Sequence, residues 1–225
     1  MQFTKRFSFV LVIIYLLLAN DSYGREGKSF SYEGANPLIV AIDKGDLDAV
    51  TSLIKKGMSP DSRGDSPVPP LILAINSGFK EIALFLIQSG CNTNSRDDEG
   101  NTPLCLAAKY GYNDVVKSLL YHGANVNARD GKNNTPLMIA AMYGNCDVVT
   151  LLLAKGAFID LRGESDSTAL IFAAENGHDE VVKLLVSKGA NIRITRSDGK
   201  SAIDLARENK YMAVEEILLK LNKGK

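Results

Sequence analysis

The chain has 225 residues, 45% hydrophobic and 23% charged, the composition of an ordinary folded protein with enough apolar material for a substantial core. Lys and Arg number 26 and Asp and Glu also 26, so no basic field points to nucleic acid. Two histidines, His122 and His178, and three cysteines, Cys91, Cys105 and Cys146, stand at unrelated spacings; they define neither a disulfide framework nor a metal site, and no cofactor is expected.

Residues 1–24 carry the features of a secretory signal peptide. Lys5 and Arg6 precede the apolar run Phe7 to Ala19, and Ser22-Tyr23-Gly24 offers the small residues that a signal peptidase prefers. The run is short beside the roughly 20 residues of a membrane helix. The expectation is an exported protein, periplasmic or secreted, with no stable membrane insertion once the signal is removed; an uncleaved signal-anchor is the alternative. Residues 25–34 are polar and aperiodic and read as an N-terminal linker.

From residue 35 one pattern returns every 33 residues. Taking Pro103 as the mark gives Pro37, Pro70, Pro103, Pro136, Ala169 and Ala202, and an alanine follows each by four residues, from Ala41 to Ala206. A glycine follows the first five marks by eight residues (Gly45 to Gly177) and another by twenty (Gly57 to Gly189). The repeats run at about 35–67, 68–100, 101–133, 134–166, 167–199 and 200–225. Each should open a short first helix at its proline or alanine, where a missing N–H costs nothing, with Thr102 or Thr135 as N-cap in the clearest copies. The first glycine closes that helix. A second helix follows from about Asn113-Asp114, and Val115, Val116, Leu119 and Leu120 make one buried stripe along it. A polar, turn-rich hairpin then leads to the next repeat. Such units bury their apolar faces only by stacking. In the last repeat Arg207, Lys210 and Glu215 replace the apolar or small residues of earlier copies, as expected of a polar face that closes the stack.

This periodic pattern, with Thr102-Pro103-Leu104 and Thr135-Pro136-Leu137 at its helix starts, resembles the ankyrin repeat family. The resemblance implies an all-α solenoid of stacked helix-turn-helix repeats joined by short β-hairpin loops. The chain departs from the family where a histidine commonly follows Thr-Pro-Leu: it has Ile39, Ile72, Cys105, Met138, Ile171 and Asp204. The histidine-to-threonine hydrogen bonding is therefore expected to be absent, with apolar packing in its place.

The resemblance also implies a non-catalytic module that binds a protein partner on its concave face, and a monomer. The row of first-helix residues on that face has an aromatic and apolar centre, Lys109, Tyr110, Met142 and Tyr143, the arrangement of an interface hot spot. Asp98, Glu99, Lys132, Asn134 and Glu164 at the hairpin tips are the expected polar rim. A hydrolase or metal enzyme would need clustered titratable residues, and the repeat columns do not supply them. Asp97-Asp98-Glu99 lacks the spacing of a calcium loop. Cys91 and Cys105 fall at small or apolar columns and should be buried, with Cys146 exposed. Other roles considered are an envelope-protective factor supporting another exported enzyme, which is resemblance alone, and an adhesion ligand through Arg63-Gly64-Asp65. Arg63 aligns with Arg96, Arg129 and Arg162, and Gly and Asp are ordinary turn residues, so chance accounts better for that tripeptide. Asn133-Asn134-Thr135 matches a glycosylation acceptor, but Thr135 is the expected helix cap.

Overall fold

The computed structural model describes residues 35–222; the expected signal peptide and linker lie outside the described residues. Among the described residues twelve α-helices follow in pairs. They are α1 Pro37–Asp43 and α2 Leu47–Lys55, α3 Pro70–Asn76 and α4 Lys80–Gln88, α5 Pro103–Tyr110 and α6 Asn113–Tyr121. The other pairs are α7 Pro136–Met142 and α8 Cys146–Ala154, α9 Ala169–Glu175 and α10 Asp179–Ser187, α11 Ala202–Glu208 and α12 Met212–Asn222. First helices pack on first helices of the neighbouring repeats and second helices on second helices, which is a solenoid. None of these helices is long and apolar enough to cross a membrane.

Five of the six first helices start on a side-chain cap. The Thr102, Thr135, Thr168 and Ser201 hydroxyls accept the N–H three residues on at 3.2–3.4 Å, and Asn36 Oδ1 accepts from Leu38 at 2.9 Å. Each such cap contributes about 1 kcal/mol. Only α3, which starts after Pro69, lacks one. The column without histidine is buried at Ile72, Cys105, Met138 and Ile171, so apolar packing does hold these turns. The expectation that side-chain bonding is lost there needs correction in two repeats. Met138 Sδ accepts from Thr135 N at 3.4 Å, and Asp204 Oδ2 accepts from the backbone N and hydroxyl of Ser201 at 2.9 and 2.6 Å.

The second helices supply the centre of the core. Leu86, Leu119, Leu152, Leu185 and Leu218 form a column with no exposed area. Their counterpart in the first repeat, Leu53, is only half-buried. Among the described residues the expected hairpins contain no strands, only an isolated bridge between Thr195 and Ser201. They are tight turns closed by backbone bonds such as Asp130 N to Asn134 O and Asn133 N to Asp130 O, at 2.9 and 3.0 Å.

Two side-chain ladders tie successive repeats, one from the first to the fifth and the other from the second to the fifth. Asp61, Asn94, Asn127 and Asp160 each accept, at about 3 Å, the backbone N–H found 31 residues later, of Asn92, Asn125, Phe158 and Asn191. Arg96 Nη1 donates to Gly100 O in its own turn at 2.6 Å and to Arg129 O in the next repeat at 2.7 Å. Arg129 repeats this on Asn133 O and Arg162 O, and Arg162 reaches Thr195 O at 3.0 Å. From Arg96 to Arg162 the recurring arginine thus ties one repeat to the next, whereas Arg63 bonds within its own turn.

The two glycine columns do different work. Both adopt left-handed φ, but nothing lies within 4 Å of a Cβ placed on Gly57, Gly90, Gly123, Gly156 or Gly189. At four of the five glycines of the first column a Cβ would meet a side chain of the next repeat at 2.6–2.8 Å, Phe79 at Gly45, Asn145 at Gly111, His178 at Gly144 and Tyr211 at Gly177, while at Gly78 it would only touch Tyr112 at 3.5 Å. In the last repeat Lys210 holds this left-handed position, φ 62°, without a glycine. Lys210→Gly is therefore expected to raise stability by about 1 kcal/mol, read as a higher urea midpoint. The polar residues of this repeat pair with one another, Arg207 with Glu215 at 2.8 Å and with Asp204 at 3.8 Å.

Cys91 and Cys105 are buried as expected, and burial pushes their thiols up to about 12 and about 11, so both stay protonated and inert. Cys146 is half-buried against the core rather than exposed, because its position at the start of α8 turns it toward neighbouring helices.

Candidate protein-binding face

The last turns of the first helices leave Asp43, Asn76, Tyr110 and Glu208 exposed, because the alanines four residues after each mark occupy the buried side. Tyr110 ends α5 with 38% of its surface exposed, and Tyr143 follows α7 with 49% exposed. Between them lies Lys109, whose Nζ is 5.6 Å from the Tyr110 ring centre and 5.7 Å from that of Tyr143. Each such contact contributes roughly 0.5–1 kcal/mol at an exposed site. Tyr110 also stacks on Tyr112, with centroids 5.5 Å apart and planes at 28°, and its hydroxyl donates to Asn76 Oδ1 at 3.4 Å. Lys80 Nζ sits 5.6 Å from the Tyr112 ring centre. Burial, and then Tyr112 and Tyr143, raise the Tyr110 phenol above its ordinary range, so it stays a neutral donor.

The structure brings together three of the four expected central residues, Lys109, Tyr110 and Tyr143. Met142 needs correction. It stands in the column of Lys109, which is equally half-buried, but its apolar chain packs against the core where the lysine ammonium reaches the tyrosine rings. Lys80 and Tyr112 belong to the strip although the first-helix row omits them. Tyr112 stands in the column after the first glycine, where Phe79 and Tyr211 are also aromatic, and that recurrence was the available signal.

The expected rim divides. Asp98, Glu99, Lys132 and Glu164 are exposed at the turn tips, and Lys132 and Glu164 approach to 3.7 Å, a surface pair worth about 0–1 kcal/mol. Asn134 is not a rim residue. It is 2% exposed; its Oδ1 accepts from Glu164 N at 2.9 Å and its own N–H donates to Asp130 Oδ1 at 2.8 Å. It stands on the return leg of its turn, directly before the Thr135 cap, and ties two turns together. The tips adjoin the N-terminal ends of the first helices and the tyrosines the C-terminal ends, about 12 Å of helix apart. Rim and centre are therefore two separate features.

The row beyond Tyr143 neutralises itself. Arg196 bonds Glu175 and Asp198, both at 2.8 Å, and Lys200 bonds Glu208 at 2.6 Å. The hydrogen bond from Arg196 lowers the Asp198 carboxyl to about 2. Between the second and third turns a groove of about 630 Å³ is lined by Asn94, Arg96, Asn125, Asn127 and Arg129, but its arginines are the ladder and already donate to carbonyls. Arg63-Gly64-Asp65 is exposed, with the Arg63 guanidinium folded back on Pro67 O at 3.4 Å. His178 Nε2 lies 3.0 Å from Met142 O, which fixes Nε2 as the donor, and His122 Nδ1 lies 2.9 Å from Ser118 O. Each histidine ring is thus held on backbone. Among the described residues no group of three or more His, Cys, Asp or Glu could hold a metal ion.

The family profile described as ankyrin repeats (3 copies) matches residues 10–97, 38–130, 71–163 and 137–225. The chain belongs to the ankyrin repeat family. It is similar to the crystal structure of an ankyrin repeat domain from Acinetobacter baumannii AYE, with 26% identity and a TM-score of 0.75 over 81% of this chain and 96% of that one. No curated protein matches it. Ankyrin repeats are in general protein–protein interaction modules, and the fold is typically non-catalytic. In this ankyrin array the residues that repeat build the stack. The Lys80, Lys109, Tyr110, Tyr112 and Tyr143 strip lies outside that repetition.

Proposed function

We propose that the protein is an exported, non-catalytic binding module that grips a protein partner through the central repeats of its concave face. The observation that carries this reading is the exposed pair Tyr110 and Tyr143, held in place by Lys109 between them and by Tyr112 and Asn76 beside them. Aromatic side chains already held by neighbours lose little rotamer freedom on binding, which is the property of an interface anchor. Export rests on the signal-like segment at residues 1–24.

A photo-reactive phenylalanine analogue placed at 110 or 143 in the native host is expected to form adducts with the partner. The same group at Tyr121, on the outer second helix and 85% exposed, should form none. Tyr110→Ala with Tyr143→Ala should leave the helical signal unchanged and weaken binding of that partner by about tenfold or more. Adducts at 121 alone would move the binding face elsewhere. For export, N-terminal sequencing of the protein from an extracytoplasmic fraction should begin at Arg25, and an intact Met1 in the cytosol would remove that part of the reading.

A further inference from the structure

We propose that the segment of the partner seated on the Tyr110–Tyr143 strip is acidic, presenting Asp or Glu side chains to Lys80 and Lys109. This rests on the concave-face reading above. Among the described residues, three basic groups further along pair with carboxylates, Arg196 with Glu175 and Asp198, Lys200 with Glu208, and Lys132 at the tips with Glu164, while the ladder arginines spend their donors on backbone carbonyls. Lys80 and Lys109 instead have aromatic rings for neighbours and, among the described residues, no carboxylate in an ion pair. A ring quadrupole orients an ammonium but carries no net charge, so both cations remain uncancelled while their positions are set. The phenol hydroxyls beside them add donors that a carboxylate can accept from.

The charge pattern also gives the partner a direction. Asp98 and Glu99 stand exposed on the second turn tip, at the opposite end of the first helices, whereas Glu164 is paired with Lys132. An acidic segment lying there would meet like charge. It is therefore drawn to the helix ends, and the tips are left to neutral or basic parts of the partner.

The test pans a random dodecapeptide display library on the immobilised full chain and on its Tyr110→Ala/Tyr143→Ala variant. Binders that depend on the tyrosines are expected to be enriched in Asp and Glu. Synthetic copies should bind the Lys80→Gln/Lys109→Gln variant about tenfold more weakly at low salt, with a flatter dependence on salt, and bind the Lys80→Arg/Lys109→Arg variant nearly as well as the parent. Tyrosine-dependent binders that are neutral or basic, or that ignore the glutamine variant, would overturn the acidic-segment proposal and leave the concave-face reading standing. An absence of tyrosine-dependent binders would overturn both.

Discussion

Leu152→Ala is expected to destabilise the array by about 2–5 kcal/mol, measured as a lower midpoint in urea unfolding followed by circular dichroism. Leu152 has no exposed area and sits mid-column, with Leu119 in the repeat before it and Leu185 in the repeat after. Truncation removes apolar contacts toward both neighbours and leaves a cavity that rigid helices cannot collapse. In a solenoid the interfaces between repeats carry much of the stability, so the loss should also broaden the transition as the two halves begin to unfold separately. The comparison is Leu53→Ala in the first repeat. It removes the same atoms from a half-buried site and should cost clearly less. Equal losses at the two positions would mean that the column is not what couples the repeats.

Much of this architecture is legible in the sequence because stacking makes every repeat solve the same problem. The prolines and alanines at the marks, Thr102 and Thr135 as caps, and the glycines closing each helix all lie where the 33-residue register puts them. What the register hides is any contact between repeats. Arg96, Arg129 and Arg162 are visibly a column, yet their partners are carbonyls 33 residues away, and a backbone acceptor leaves no mark in residue identity. The Asp61, Asn94, Asn127 and Asp160 ladder is hidden for the same reason. Tyr110 and Tyr143 are legible as aromatic residues in a column that is otherwise Lys44, Ser77, Asn176 and Asn209, and Lys109 as the one cation in its own column. Asn134 is hidden because one step along a turn separates an outward residue from an inward one, and Met142 because in the column of Lys109 an apolar chain packs inward where a lysine reaches out. The signal-like segment lies outside the described residues, so its role stays with the proposal and its N-terminal sequencing test.

Gly144→Ala separates the two reasons for glycine in this fold. At Gly156 the backbone is left-handed, φ 85°, but a Cβ meets nothing, so Gly156→Ala should cost only the conformational term, about 1–2 kcal/mol. Gly144 has the same handedness, φ 73°, and in addition the His178 ring of the next repeat lies 2.6 Å from the added carbon at Nδ1 and 2.8 Å at Cε1. That ring cannot move without giving up its bond to Met142 O, which ties the fifth repeat to the end of α7. Gly144→Ala should therefore cost roughly 1–3 kcal/mol more than Gly156→Ala, an overpacking penalty placed at a repeat interface. Truncating the ring tests the assignment. In the His178→Ala background the excess cost of Gly144→Ala should vanish, while that of Gly156→Ala should not change. A double-mutant cycle with no coupling between 144 and 178 would show that backbone conformation alone selects glycine here. Coupling would show that the first glycine column is kept small by the side chain above it, one repeat at a time.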